Sequence, residues 1–274
     1  MDGKVLKSGR KIRIKKIKAS EIEAEKIDII PSELLLTIYL NNISISTISC
    51  SPFNLIEMTI GFLINNGYVD KYSDINLLKI CNNENNETAG QNKFSRKIEV
   101  FTTVKSDKNV ILKNQKYISS ACGSIDDFVL GNKLQKIKSN VRVNSEVILK
   151  LNIETLKHQK HKKAHGGLHS AALFDKNGSI SVIMEDIGRH NCIDKITGHI
   201  LTKRLPINDK IIFTTGRLSL DIIYKISKML IPVIVTNSSI TYSAAIMARK
   251  LNLTAIGYAR GGRFNIYSCP RRVT

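Results

Sequence analysis

The sequence lacks most of the features that would classify it at a glance. No run approaches the roughly 20 apolar residues that a membrane-spanning helix needs; the best candidate, residues 229–235, is short and contains Pro232. No apolar signal core follows the basic N-terminus, so a cytosolic protein is expected. Five cysteines, odd in number and scattered, are not a secreted disulfide framework. They include no Cys-x-x-Cys, and the chain has no His-x-Glu, so a zinc deaminase would lack both halves of its signature. No Gly-x-Ser-x-Gly elbow, Walker loop or internal repeat occurs. Carboxylates are scarce: 23 Asp and Glu stand against 42 Lys and Arg, a net charge of +19.

What is present supports a folded protein of one domain, or a large and a small one. At 274 residues and 42% apolar content the chain can bury a substantial core and is not a disordered polycation. The charge is local. Residues 1–18 carry +7, residues 157–163 carry +4 beside His158, His161 and His165, and residues 257–274 carry +4. Such clusters suit either an anionic partner or solvated faces and a frayed tail.

Residues 34–40 and 43–48 read as strands joined by Asn41-Asn42, a pair that tolerates the positive φ of a tight hairpin. Ser51-Pro52 predicts the start of a helix with Ser51 as its cap, ending near Gly67. Strands are expected at 75–81 and 97–104 around an Asn-rich loop, 82–92, whereas 105–140 is the least periodic stretch. Ser145 is expected to cap a helix that runs to about Lys163 and ends at Gly166-Gly167. From there strands (168–174, 179–184, 210–215, 233–236, 254–259, 264–268) interleave with helices (189–201, 218–230, 240–251), which predicts an α/β fold with a mixed sheet covered on both faces.

In such sheets ligands sit beyond the carboxyl ends of the strands. Four corners there are rich in Gly, hydroxyls and Arg: Glu185-Asp186-Ile187-Gly188-Arg189-His190-Asn191, Thr214-Thr215-Gly216-Arg217, Thr236-Asn237-Ser238-Ser239, and Tyr258-Ala259-Arg260-Gly261-Gly262-Arg263. Any one corner is ordinary turn chemistry. Four on one edge favour an anionic ligand such as a nucleotide. Glu185 and Asp186 can read a guanine edge, cap the next helix or pair with Arg189. His190 and His169 suit either a satisfied polar position or a proton donor that orients a ligand. His158, His161 and His165 at helical spacing can chelate a metal or simply end a basic helix; no metal site is assigned. Among the cysteines, Cys192 and Cys50 are expected in the core. Cys122, flanked by small residues in an aperiodic segment, is the candidate for an accessible thiolate, with plain packing as the alternative.

These motifs make the chain similar to the formate dehydrogenase accessory sulfurtransferases, the FdhD family. Residues Glu185 to Lys195 resemble its Glu-Asp-x-Gly-Arg-His-Asn-x-x-Asp-Lys signature, and Gly166-Gly167-Leu168-His169 resembles its Gly-Gly-x-His element. Thr215–Ser219, Ala259–Tyr267, and Pro52 with Gly61-Phe62-Leu63 and Asn66-Gly67 resemble further blocks. The resemblance implies a cytidine-deaminase-like three-layer sandwich with a mixed sheet and no zinc, plus a smaller N-terminal α+β region. The implied partition is a basic extension (1–28), an α+β region with the reactive-cysteine loop (29–140), and a cofactor-binding domain (141–274).

The resemblance also implies a function. Cys122 would accept persulfide sulfur from a cysteine desulfurase and pass it to the molybdenum of bis(molybdopterin guanine dinucleotide), for a formate dehydrogenase catalytic subunit. Guanine nucleotide is the expected surrogate ligand, and a homodimer without membrane or nucleic-acid partners is the expected state. Tyr258, Ala259, Arg260, Gly261, Gly262 and Arg263 match the cofactor segment, with Gly216, Arg217, Gly166, Gly167, His169, Glu185, Asp186, Arg189 and His190 completing the site. The chain departs from the family at Cys122-Gly123-Ser124-Ile125, where Cys-Gly-x-Cys is usual, and at His165, where Thr is usual. A local two-cysteine relay is therefore lost, and a cofactor chaperone that transfers no sulfur is the alternative. Nucleic-acid binding through the basic segments is a third reading, without a motif to support it.

Overall fold

The structure, a computed structural model, describes residues 8–18, 21–22, 25–81, 95–103 and 134–274. Cys122, with most of the 105–140 stretch, and the Asn-rich 82–92 loop lie outside them.

The chain begins with strand β1 (Gly9–Ile14), short strands β2 (Ile17–Lys18) and β3 (Glu21–Ile22) that pair with each other, and β4 (Lys26–Pro31), which returns antiparallel to β1. Next comes the expected hairpin of β5 (Leu34–Leu40) and β6 (Ile43–Cys50), with φ of 47° at Asn41 and 67° at Asn42. Helix α1 (Leu55–Asn65) and strands β7 (Ile75–Cys81) and β8 (Ser95–Thr102) complete a four-stranded sheet ordered β6-β5-β8-β7. Alternate β5 residues Leu34, Leu36, Ile38 and Leu40 are buried with Met58, Phe62 and Leu63 of α1, as period-2 and helical patterning require.

The second half holds α2 (Ser145–His158), α3 (His161–His165), β9 (His169–Phe174), β10 (Ile180–Asp186), α4 (Arg189–Lys203), β11 (Ile211–Thr214), α5 (Leu220–Lys228), β12 (Val233–Thr236), α6 (Tyr242–Lys250), β13 (Thr254–Arg260) and β14 (Arg263–Ile266). Its six-stranded sheet is ordered β10-β9-β11-β12-β13-β14, with β11, β12 and β13 parallel and the outer pairings antiparallel. Ile193, Ile196, Ile222, Ile226 and Met247 of α4, α5 and α6 cover one face; Ile148 and Leu151 of α2 pack with Phe174, Phe213 and Val235 on the other. This is the three-layer mixed α/β arrangement expected.

The two halves are joined where α1 crosses α4. A Cβ on Gly61 would lie 1.8 Å from the Asp194 carbonyl oxygen, and one on Gly198 would lie 1.9 Å from that of Glu57. Each helix thus offers a glycine to the other's backbone.

Two expected helix boundaries are corrected. Ser51 does not cap α1; its N–H donates to Asp186 Oδ2 (3.0 Å) and its Oγ accepts from Ile187 N (3.2 Å), so Asn54, in the left-handed region, precedes the helix. The helix expected over 145–163 is two helices. Asn144, rather than Ser145, caps α2, and the chain breaks at Gln159 because the Glu185 carboxylate draws in the next three backbone N–H groups.

Candidate functional site

The topology brings the glycine-rich corners together. β10 ends at Asp186 opposite the start of β9 at His169, and Thr215 N donates to Ser170 O just past the end of β11. Thr236 Oγ1 donates to the Gly216 carbonyl (2.7 Å), and Tyr258 N donates to the Ser238 carbonyl (2.8 Å). The corners are thus linked along one edge of the sheet, at which α4, α5 and α6 also begin. Gly166 and Gly167 precede β9 on the same side and are exposed. Beyond this edge projects the β13–β14 hairpin, where Arg260 and Arg263 pair across Gly261 (φ 60°) and Gly262 (φ 74°). Two successive positive φ values define the turn that right-twisted strands favour. They leave both exposed arginines flanking open backbone, with nothing within 4 Å of a Cβ position on either glycine. Tyr258 is also in the left-handed region, Ala259 is buried, and Arg217 is exposed.

Glu185 and Asp186 are not where a ligand would meet them. Both are buried. Glu185 caps the turn entering α3, accepting from Lys160 N, His161 N and Lys162 N at 3.0, 3.0 and 2.8 Å. Asp186 accepts from Ser51 N, Gly188 N and Asn191 Nδ2 and pairs with Lys195 Nζ at 2.7 Å. Lys195 also donates to the Glu185 carbonyl and lies 4.4 Å from the Phe53 ring centre, whose ring stacks on His161 at 4.0 Å. These carboxylates therefore hold loops together. Of the roles open to them from sequence, capping and pairing are realised, with α3 and Lys195 in place of α4 and Arg189.

Arg189 is left without that partner. Its Nε is shielded from solvent and has no hydrogen-bond partner among the described residues. Its stem lies on Gly216, where an added Cβ would sit 2.7 Å from Arg189 Cβ. His169 lies among cations: burial first, then Lys162 and Arg189, hold its pKa below the usual imidazole value, against the opposite pull of Asp186. Its Nδ1 is 3.4 Å from Thr215 Oγ1. His190 is pushed down to about 4, by burial above all, with Lys225, Arg189 and His169 adding to it and Asp221 opposing. Both rings are neutral at pH 7, each with one donor and one acceptor nitrogen. His190 Nε2 is 3.4 Å from both Ser219 Oγ and Asp221 Oδ2. Because both contacts fall on the same nitrogen, this is not the relay of a serine hydrolase, which uses opposite ring nitrogens.

A cavity of about 520 Å³ opens between β6, α1, α4 and α5, lined by Phe62, Arg189, His190, Ser219, Asp221 and Lys225 among others. Lys225 is buried, which disfavours its charge, but Asp194 (2.9 Å) and Asp221 together outweigh that cost and hold its pKa above the ordinary lysine value. Asn65 Nδ2 donates to the other Asp194 oxygen at 2.7 Å. The sequence reading passed over Asp221, Lys225 and Lys162; the available signal was Lys225 among Ile222, Ile223 and Ile226, a charge on the apolar side of α5.

The three histidines His158, His161 and His165, which the sequence leaves open to chelation or to a basic helix end, are split between α2 and α3: His158 Nδ1 meets the Glu154 carbonyl oxygen and His161 stacks on Phe53. No cluster of three or more metal-ligating side chains occurs among the described residues. Cys50 and Cys192 are buried as expected; burial pushes the Cys50 thiol up to about 12 and raises that of Cys192 further, so neither is a thiolate. No helix among the described residues is long and apolar enough to cross a membrane.

The model of the FdhD/NarQ family matches residues 31–274. A protein named sulfur carrier protein FdhD from Sulfolobus acidocaldarius is 32% identical over 265 residues, 96% of this chain and 98% of that one. Another of that name, from Staphylococcus aureus, is 33% identical over 245 residues, 88% of each chain. A crystal structure described as that of a formate dehydrogenase accessory protein from Desulfotalea psychrophila is similar with a TM-score of 0.75. Its sequence identity is 24%, with 98% of this chain and 100% of that chain covered, so this likeness bears on the fold.

Proposed function

Because the chain belongs to the FdhD/NarQ family, we propose that it is a sulfur carrier in formate dehydrogenase maturation, taking persulfide sulfur from a cysteine desulfurase on Cys122 for the molybdenum of bis(molybdopterin guanine dinucleotide). The Cys122 thiolate attacks the terminal sulfur of the donor's persulfide. A new S–S bond forms on Cys122, the donor's S–S bond breaks, and the donor leaves as a thiolate. The cofactor is the cargo, and its two pyrophosphates are the groups the sheet edge suits. Arg189, Arg217, Arg260 and Arg263 supply donor forks, Gly261 and Gly262 leave backbone open to close approach, Gly216 lets the Arg189 stem lie against it, and neutral His169 and His190 orient ligand oxygens. The observation that carries this reading is Arg189, whose shielded Nε has no hydrogen-bond partner among the described residues at the point where the corners meet. Glu185 and Asp186 support the edge from behind.

Incubation with a desulfurase and cysteine, followed by intact-mass measurement, tests the carrier role. The expected result is one added sulfur atom, lost in Cys122→Ala together with activation of formate dehydrogenase. Full activation by Cys122→Ala removes the role from Cys122. A second reading, a chaperone that delivers the cofactor without transferring sulfur, is favoured by Ile125 in place of the second loop cysteine. It requires guanosine diphosphate to bind while no sulfur adduct forms.

A further inference from the structure

The ribbon of β1 and β4 is used by nothing described above. Its base is fixed: Ser32 N donates to Ser8 O (2.9 Å), Gly9 lies against His165 and Ile29, and Pro31 lies against Gly167. From that anchor it is a two-stranded sheet to which no third strand is added among the described residues. Such ribbons are marginal in water, and their edges are templates for another strand. Neither face is covered: Ile27 is 67% exposed, Ile12 46% and Ile29 41%.

Residues 8–18 contain six Lys or Arg and no carboxylate, whereas Glu25 lies just before β4 and Asp28 within it. Cations and isoleucines share each face, because Lys11 pairs with Ile29 and Arg13 with Ile27, while Arg10 pairs with Ile30. We propose that the outer edge of β1 is a docking strand for an acidic segment of a protein partner, which adds as a third strand with carboxylates against the β1 cations and apolar side chains against the exposed isoleucines. Other occupants fit less well. A second copy joined through β1 would set cation against cation. A bilayer surface calls for apolar and basic groups on opposite sides, which the pairing denies. Residues 8–31 contain no aromatic side chain on which nucleic-acid bases could stack.

The test uses the full chain and a fluorescein-labelled 12-residue peptide alternating Glu and Val, followed by anisotropy. A peptide of equal charge with proline at every third position serves as the control that cannot form a ladder. The alternating peptide is expected to bind, the proline peptide at least tenfold more weakly. The Lys11→Glu/Arg13→Glu variant is expected to lose at least tenfold for the alternating peptide. Guanosine diphosphate binding and the melting temperature should be unchanged in that variant, which separates this surface from the sheet-edge site. Equal binding of the two peptides reduces the effect to diffuse charge and overturns the proposal. So does absence of peptide binding, or tighter binding of an oligothymidine or of phosphatidylserine vesicles than of the alternating peptide. A self-association that the double variant abolishes in sedimentation overturns it in favour of a second copy.

Discussion

A single signature can mix groups that face a ligand with groups that hold the fold, and on the proposed function the stretch from Glu185 to Lys195 does both. Arg189 is then of the first kind. Its shielded Nε has no hydrogen-bond partner among the described residues and gains a charge-assisted hydrogen bond only when an anion arrives. Arg189→Ala is therefore expected to weaken guanosine diphosphate binding by about 10- to 100-fold in calorimetry, with little change in melting temperature; unchanged affinity would remove Arg189 from the site. Lys195 belongs to the second kind. Fully buried and paired with Asp186 at 2.7 Å, it leaves an uncompensated carboxylate behind when replaced. Lys195→Met is expected to cost about 3–5 kcal/mol in urea unfolding. A loss under about 1 kcal/mol would show that Asp186 finds another partner. The sequence announced these residues as one motif but not how they divide. The partners of Glu185 lie at 160–162 and one partner of Asp186 is Ser51, 135 residues away, so the pairing exists only once the sheets are assembled.

Regular elements were legible where burial alone decides them. Val233–Thr236 was read to the residue because a fully buried parallel strand is a continuous apolar run, and the Asn41-Asn42 turn because few residues tolerate its φ values. The break between α2 and α3 was not legible, since a distant carboxylate makes it, and the β1–β4 ribbon was not, since neither of its faces is buried and no apolar period marks it. The α1–α4 crossing belongs to the same class. Gly61 and Gly198 look like weak points in helices until the opposing backbone is seen. An Ala in place of Gly ordinarily favours a helix by about 1 kcal/mol. Here Gly198→Ala is expected to destabilise by about 2 kcal/mol or more, because its Cβ would meet backbone that cannot rotate away. Gly61→Ala should behave alike, and a gain in stability for either would mean that the helices separate freely.

Across the whole molecule the charge of +19 is not a uniform field. Part of it flanks the sheet edge and part lies on the N-terminal ribbon, while half-buried histidines shape how the fold responds to acid. His161, His169, His190 and His199 all have their pKa lowered below 6.5, burial being the largest cause at each. A histidine with a depressed folded-state pKa binds fewer protons folded than unfolded, so stability is fully present above the unfolded value and is lost as pH falls. For His190 the window runs from 6.5 down to about 4. Each proton taken up also adds to an already positive chain, so self-repulsion acts in the same direction. The two causes separate with salt, which screens repulsion between exposed charges but not the desolvation of a half-buried ring. The melting temperature is therefore expected to fall between pH 6.5 and 4.5 and to keep falling at 0.5 M salt. His190→Gln should flatten that slope, because glutamine cannot take up a proton. A midpoint that is level over this range at high salt would leave repulsion as the sole cause and remove the half-buried histidines from the acid response. Because His169 and His190 stand beside Arg189, guanosine diphosphate affinity should change over the same pH range in which stability is lost, which couples the ligand edge to the acid limit of the fold.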